Sequence, residues 1–442
     1  MEKPKLGLLA STSLVVGNMI GAGVFLMPAA MASFGSISLI GWGCSAIGSF
    51  LLAKVFSNLS KLLPEATGGP YAYTRHGLGD FPAFLVGWGY YLATACANAA
   101  ITISFVSALS TFFPVLATNT IVAAITGIGT VWLLNWVNSR GIVLSGNVQV
   151  VTTILKLLPL LIIAIGGLFA IRAENFYPFN NTHTSTFDAI TATAAMTMFS
   201  FVGIESATVP SGSVADPAKT IPKATLLGLL ITTIIYILGS VSVMGLIPLE
   251  KLQHSATPFA DAAVLLFGAG ARYWVSAGVA IAAFGALNGW TLIQSQVPYA
   301  IAKDKLFPAV FTRINSKGVP YMGLIVSSTI VSLFIVMNYS KALVDQFRTL
   351  LLLSVFTILV PYLFAITSWF ILRFANNPAN LPQPRGSRTP ALLLGAGAFA
   401  YTLWEIAGAG QGAVFYGFIL LMAAIPIYAW GARNSSKKPP HP

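Results

Sequence analysis

The chain has 442 residues, 56% of them hydrophobic and only 8% charged, with a mean hydropathy of +0.79. A soluble domain carries roughly 25% charged residues, so polar surface is too scarce here to cover a water-soluble globule, and soluble enzymes, nucleic-acid binders and disordered scaffolds are excluded. The net charge of +12 then reports basic loops of a membrane protein and not a nucleic-acid partner, while Cys44, Cys96 and four scattered histidines offer no disulfide framework, metal site or cofactor anchor.

Charge-free runs set the expected spans, since a crossing helix needs about 20 apolar residues. Between Lys5 and Lys54 lie 48 uncharged residues, enough for two spans turning at Ser33-Phe34-Gly35-Ser36. Between Asp80 and Arg140 lie 59, two more spans with a turn near 114–119. Single spans are expected at 141–171, 189–211, 224–249, 273–302, 318–340 and 349–372, and a last pair at 389–408 and 413–432. The expectation is an all-α integral membrane protein of twelve spans, because barrel strands would show as short alternating segments. Lysines and arginines counted over alternate loops divide eighteen to five, with Lys156 left inside a span. That asymmetry places both termini in the cytoplasm. The first apolar run is expected to act as its own insertion signal.

Two spans carry interruptions. Span 1 contains Gly17-Asn18-Met19-Ile20-Gly21-Ala22-Gly23 and then Pro28; span 6 contains Phe199-Ser200-Phe201-Val202-Gly203-Ile204-Glu205 and then Pro210. The glycine-to-proline spacing is seven in both. Breaks matched in this way, five spans apart, suggest an inverted repeat, with copies at 1–172 and 186–375 and a final helix pair at 389–432. Small residues also serve plain helix packing, so this spacing leaves both uses open. Where a helix unwinds, however, freed N–H and C=O groups must be satisfied by a ligand or cavity. The positive end of the half-helix starting at Gly23 suits a carboxylate, and carbonyls near Phe199 and Val202 suit an ammonium. Together they would recognise the main chain of an α-amino acid.

The runs Asn18-Met19-Ile20-Gly21-Ala22-Gly23-Val24-Phe25, Gly68-Gly69-Pro70-Tyr71-Ala72-Tyr73 and Gly203-Ile204-Glu205-Ser206-Ala207 resemble the amino acid–polyamine–organocation superfamily. With Asp304-Lys305-Leu306-Phe307-Pro308 and Leu359-Val360-Pro361-Tyr362, the chain is similar to the bacterial basic amino acid/polyamine antiporters, those for arginine and agmatine in particular. The resemblance implies a LeuT-type fold with twelve helices in a five-plus-five inverted repeat and broken helices 1 and 6. It also implies a bacterial inner-membrane location and a homodimer.

Carried over residue by residue, the resemblance puts the substrate carboxylate on Gly21, Ala22 and Gly23, and the ammonium on carbonyls of Met19, Phe199 and Val202. It puts the side-chain pocket at Ala93, Thr94, Asn98, Trp290 and Ser354, and gating at Tyr90, Glu205 and Tyr362. The chain departs from that pattern at Ala22, where the family has serine, and at Phe199, where it has tryptophan. Read on its own, Trp290 lies mid-span, where an indole can cover a guanidinium or ammonium, and Gly285 and Gly289 are expected to leave room for a ligand. Asn98, equally central, needs a partner that a neighbouring helix could equally supply. Glu205 is the one acid well inside a span, where carboxylates are costly and usually functional, to be satisfied alternately by a proton or a cationic substrate. Glu405 is expected to reach the interface, and Asp216-Pro217-Ala218-Lys219 and Arg75-His76 to be loop structure.

Lys156 stands sixteen residues from both Arg140 and Arg172, about 24 Å of helix from either end, beyond the reach of snorkelling. Sodium-independent members of the superfamily carry a lysine in span 5 whose charge resembles the sodium ion of sodium-coupled members. Lys156 is therefore expected to face carbonyls freed by the span 1 break, bridge it to span 8, and couple proton movement to access. The functional expectation is a carrier, not an enzyme, exchanging a small amino acid or amine, cationic in kind, by alternating access in the bilayer. A proton-coupled symporter of broader or neutral specificity is the transport alternative. A receptor would need a signalling domain, and a channel a filter segment or charged ring.

Overall fold

A computed structural model describes residues 5–21, 23–255, 257–338, 343–374 and 388–435. Its helices, in chain order, are α1 (Leu8–Met19), α2 (Gly23–Ala32), α3 (Ser38–Leu62), α4 (Pro70–Leu78), α5 (Asp80–Leu109), α6 (Val115–Thr118), α7 (Thr120–Ser139), α8 (Ile142–Leu168) and α9 (Thr186–Phe201). They continue with α10 (Pro217–Leu246), α11 (Leu249–Leu252), α12 (Pro258–Phe267), α13 (Ala271–Lys303), α14 (Tyr321–Asn338), α15 (Leu343–Phe374), α16 (Arg388–Gly408), α17 (Gln411–Met422) and α18 (Ala424–Ser435). Eleven stretches among the described residues are long and apolar enough to cross a membrane. The run expected at 318–340 forms α14, apolar but shorter than those eleven.

Burial separates an inner set of helices from an outer one. In their most apolar windows, 88% of α1–α2, 83% of α5 and 78% of α13 is buried, against 28% of α16 and 22% of α17–α18. A helix apolar all round must be buried or face lipid, so the first three form the centre and α16 to α18 present the lipid face. The residues expected to touch substrate on spans 3 and 8, Ala93, Thr94, Asn98 and Trp290, thus lie on inner helices.

Both expected interruptions are present. α1 stops at Met19, where the Ile20 N–H still bonds Val16 O but the Gly21 N–H turns back to Met19 O. α9 stops at Phe201; Val202 is extended, and Gly203 takes φ +111°. Beyond it the chain runs on through short 3₁₀ turns at Ser206–Thr208 and Ser211–Ser213, not through a regular α-helix. A two-residue parallel bridge between Leu6 and Val214 then ties the start of α1 to the end of that broken segment.

Three local expectations change, and one helix was not expected. Arg75-His76 is not loop but part of α4, which starts at Pro70 and buries Tyr71, Ala72, Tyr73 and Thr74; a helix this short leaves no charge-free run to read. Its entry explains the double glycine, since Gly69 has φ +56° and a Cβ there would come within 2.9 Å of Thr208 and Val209. Asp216 begins α10 with φ +43° and pairs with Lys219 at 3.1 Å. The apolar helix α12 was not legible, being short and containing Asp261, and the last span is two helices meeting at Ala423.

Candidate functional site

Where α1 ends, its last carbonyls lack helical donors, and a cation is supplied from α8. Lys156 is fully buried, and its Nζ donates to Gly17 O at 2.7 Å and Ile20 O at 2.6 Å. A positive charge at a helix C-terminus is favourable, and two charge-assisted hydrogen bonds offset much of the cost of burying it. Both of these bonds go to span 1, one to α1 and one to the residue that follows it. The contact with α13 expected of Lys156 is made instead by neighbours: Trp290 Nε1 donates to Asn18 O at 3.2 Å, and Asn288 Nδ2 donates to Gln149 Oε1 at 3.1 Å.

Between the two breaks lies a cavity of about 20 Å³, lined by Asn18, Met19, Gly21, Gly23 and Val24 of span 1, Ala97 and Ile101 of α5, Phe199, Ser200 and Val202 of span 6, and Trp290. That volume holds about one water molecule, so the chain is seen with its central site collapsed. Two of these lining residues have a buried atom without a hydrogen-bond partner among the described residues, Asn18 Oδ1, which packs against Gly289, and Ser200 Oγ, while Asn18 Nδ2 donates to Ser206 Oγ at 2.9 Å. Unpaired buried polar atoms are costly, and a ligand that donates hydrogen bonds would satisfy them.

Of the residues singled out from sequence, Met19, Gly21, Gly23, Phe199, Val202 and Trp290 line this cavity. Ala22 lies outside the described residues. Ala93, Thr94, Asn98 and Ser354 are not among its lining. Ser354 is fully buried and donates to Ala93 O at 3.0 Å, Thr94 Oγ1 bonds Tyr91 O within its own helix, and Asn98 Nδ2 donates to Gln294 Oε1 at 2.6 Å. Gly285 and Gly289 do not leave space for a ligand: a Cβ would overlap Thr152 at the first and the Asn18 side chain at the second. They let α13 approach α8 and α1. Gly203 is constrained twice, because its positive φ is disfavoured for other residues and a Cβ would stand 3.2 Å from both Asn18 and Trp290. Gly203→Ala is expected to cost about 1–3 kcal/mol, read as a lower Tm together with weaker substrate binding; an unchanged melt would remove the strained break from the argument.

Three gating candidates converge. Tyr90 on α5 donates its hydroxyl to Glu205 Oε1 at 2.5 Å, Tyr362 on α15 donates to Glu205 Oε2, and all three residues are buried. Each oxygen of the carboxyl group thus accepts one tyrosine hydroxyl. On α4, Tyr71 donates to Asp304 at 2.8 Å, and Arg75 pairs with Asp304 and Asp80, each at 2.8 Å. Burial, and then the Asp304 carboxylate, push the Tyr71 hydroxyl above its ordinary range, so it stays a donor. Glu405 does not reach the interface: it is 1% exposed, because α16 turns that face onto α3 and α9.

The decisive comparison is over the whole length, where the profile described as Amino acid permease matches residues 6–438. The chain belongs to the amino acid permease family. It is 32% identical to an arginine/agmatine antiporter of Chlamydia trachomatis serovar L2, over 98% of this chain and 91% of that one. It is 34% identical to a cadaverine/lysine antiporter of Escherichia coli K12, over 84% of each chain. A putrescine transporter of Haemophilus influenzae is 30% identical over 96% of this permease and 97% of its own length. The permease is therefore a membrane transporter, not an enzyme.

Asn18, Ser200, Ala97 and Ile101 were not singled out from sequence as contacts. Asn18 and Ser200 carried a signal, being polar residues directly beside a break. Ala97 and Ile101 carried none, since apolar residues fill all of α5.

Proposed function

We propose that this permease exchanges a cationic amino acid for its decarboxylated amine, or for a related amino acid, by alternating access. The observation that carries the reading is the cavity between two unwound helices, lined by free polar atoms and an indole. Lys156 neutralises the carbonyl end of α1, which leaves the N–H end of α2 for a substrate carboxylate. Asn18 Oδ1 and the carbonyls at the α9 break accept from the ammonium, and Trp290 stacks on the cationic end of the substrate. The names of the relatives, which pair arginine with agmatine and lysine with cadaverine, support the same substrate class.

Trp290→Leu is expected to weaken a cationic substrate by about 0.5–2 kcal/mol, about two- to thirtyfold, and a neutral one less, as measured by calorimetry. Counterflow in proteoliposomes tests the exchange itself: efflux that needs external substrate supports it, whereas net uptake driven by a pH gradient supports symport. The apolar wall of Ala97, Ile101, Phe199 and Val202 favours that second reading, a proton-coupled symporter of neutral amino acids.

The same proposal includes twelve spans, repeats at 1–172 and 186–375 in inverted orientation, a pair at 389–432, a homodimer, and both termini on the cytoplasmic side of a bacterial inner membrane. Cysteine probes at Ser435 should label only from the cytoplasm and at Thr182 only from outside; labelling of Ser435 in intact cells overturns that orientation.

A further inference from the structure

Away from the central site, the C-terminal half of α3 and the first two turns of α10 enclose a concavity of about 300 Å³ that contains four lysines: Lys54, Lys61, Lys219 and Lys223. Ser57 and Asn58 add a hydroxyl and an amide. No carboxylate lines it. Asp216, at the start of α10, is held by Lys219 at 3.1 Å, and none of the other three lysines has an ion-pair partner among the described residues. Cations gathered without counter-charge repel one another, so the cluster is stable only beside water or an anion.

Its position narrows the choice. Directly along the same two helices the surface becomes apolar and exposed, with Ile47 and Phe50 on α3 and Leu227, Leu230 and Ile234 on α10. In an integral membrane protein that surface faces acyl chains. The ammonium of Lys54 lies 5.4 Å from the centre of the Phe50 ring, at the seam between the basic and apolar zones. A headgroup-sized concavity of one charge sign that continues into a lipid-facing stripe matches an amphiphile with an anionic head. All four lysines also belong to the cation-rich set of loops, the side on which anionic lipid attracts basic residues.

We propose that this concavity binds the phosphodiester headgroup of an anionic phospholipid, whose acyl chains lie along Phe50, Leu227 and Leu230. The lipid clamps α3 to α10, the helix that directly follows the span 6 break, and so steadies the moving segment from outside the substrate site.

The test is a titration of short-chain phosphatidylglycerol, phosphatidylcholine and inorganic phosphate into the detergent-solubilised permease, read as a shift in Tm. Phosphatidylglycerol should stabilise the parent and phosphatidylcholine should not. In K54Q/K61Q/K223Q the affinity for phosphatidylglycerol should fall about a hundredfold, since each lysine near an anionic surface is worth about a factor of five. K305Q/R313Q/K317Q removes the same charge elsewhere and should respond like the parent. Equal phosphatidylglycerol shifts in the parent and K54Q/K61Q/K223Q, or equal losses in both triple variants, would overturn the site. Stabilisation by inorganic phosphate as strong as by phosphatidylglycerol would overturn the lipid and leave a free-anion site.

Discussion

Lys156→Met is expected to reduce substrate exchange by about tenfold to a hundredfold in proteoliposomes while the protein remains folded. The argument starts from the two carbonyls that Lys156 serves, Gly17 O and Ile20 O. Methionine keeps most of the side-chain volume and no donor, so both oxygens are left buried and unpaired at about 1–3 kcal/mol each. If half of the combined penalty, about 1–3 kcal/mol, falls on this conformation and not on all conformations alike, populations shift by about five- to 150-fold, a range that brackets the stated factor. Lys156→Ala removes volume as well and should lower Tm further. Size-exclusion profile and melting temperature establish folding, and counterflow measures exchange. The proposed proton coupling has its own readout: the parent should vary in rate across about pH 5 to 8 and Lys156→Met should not. Parent-like exchange by both variants across that range would reduce Lys156 to a structural lysine.

How far the sequence led can be judged at this same residue. An ammonium midway between two basic ends had to find oxygen atoms inside the protein, and length and charge carried that step; that the unwound end of span 1 supplies them was what the resemblance to sodium-independent members of the superfamily implied. The break at Gly21 was legible from three glycines within seven residues of an apolar run, and that at Gly203 from the same seven-residue spacing to a proline. Glu205 was legible because an acid there is costly. In each case a single residue violates the local rule of its span, and a violation can be read without knowing the packing.

What was not legible depended on which face of a helix points where. Asn98 and Ala97 are adjacent, yet Ala97 lines the cavity and Asn98 binds Gln294 on α13. On a helix such as α5, buried over 83% of its most apolar window, hydrophobic periodicity carries no directional signal. Glu405 misled for the opposite reason. It sits near the end of a span, where a carboxyl usually finds water, but α16 turns it toward α3 and α9. Gly285 and Gly289 show the limit again, since an absent side chain reads equally as space for a ligand or as space for a helix. Only the positions of Thr152 and Asn18 decide it.

Tyr90→Phe and Tyr362→Phe are expected to open the gate on the Glu205 side, each raising the labelling rate of a cysteine placed at Val202 by about tenfold or more. Each tyrosine supplies one hydroxyl to a different oxygen of the same buried carboxyl group, from α5 and from α15. Hydrogen bonds to a charged acceptor contribute about 1.5–3 kcal/mol, and these two join helices that must separate for substrate to pass. Phenylalanine preserves ring packing, including the edge-to-face contact of Tyr362 with Phe56 at 5.1 Å, so the substitution removes the hydrogen bond and little else. A loss of that size shifts a two-state equilibrium by about ten- to 150-fold toward the open form. Exchange should fall at the same time, because a carrier biased to one side must climb back to complete its cycle. The double variant should show less than the sum of the two effects, since once one hydroxyl is gone the carboxyl group can rotate or recruit water. Unchanged labelling in both single variants would mean that the Tyr90–Glu205–Tyr362 cluster holds the fold together and does not gate it.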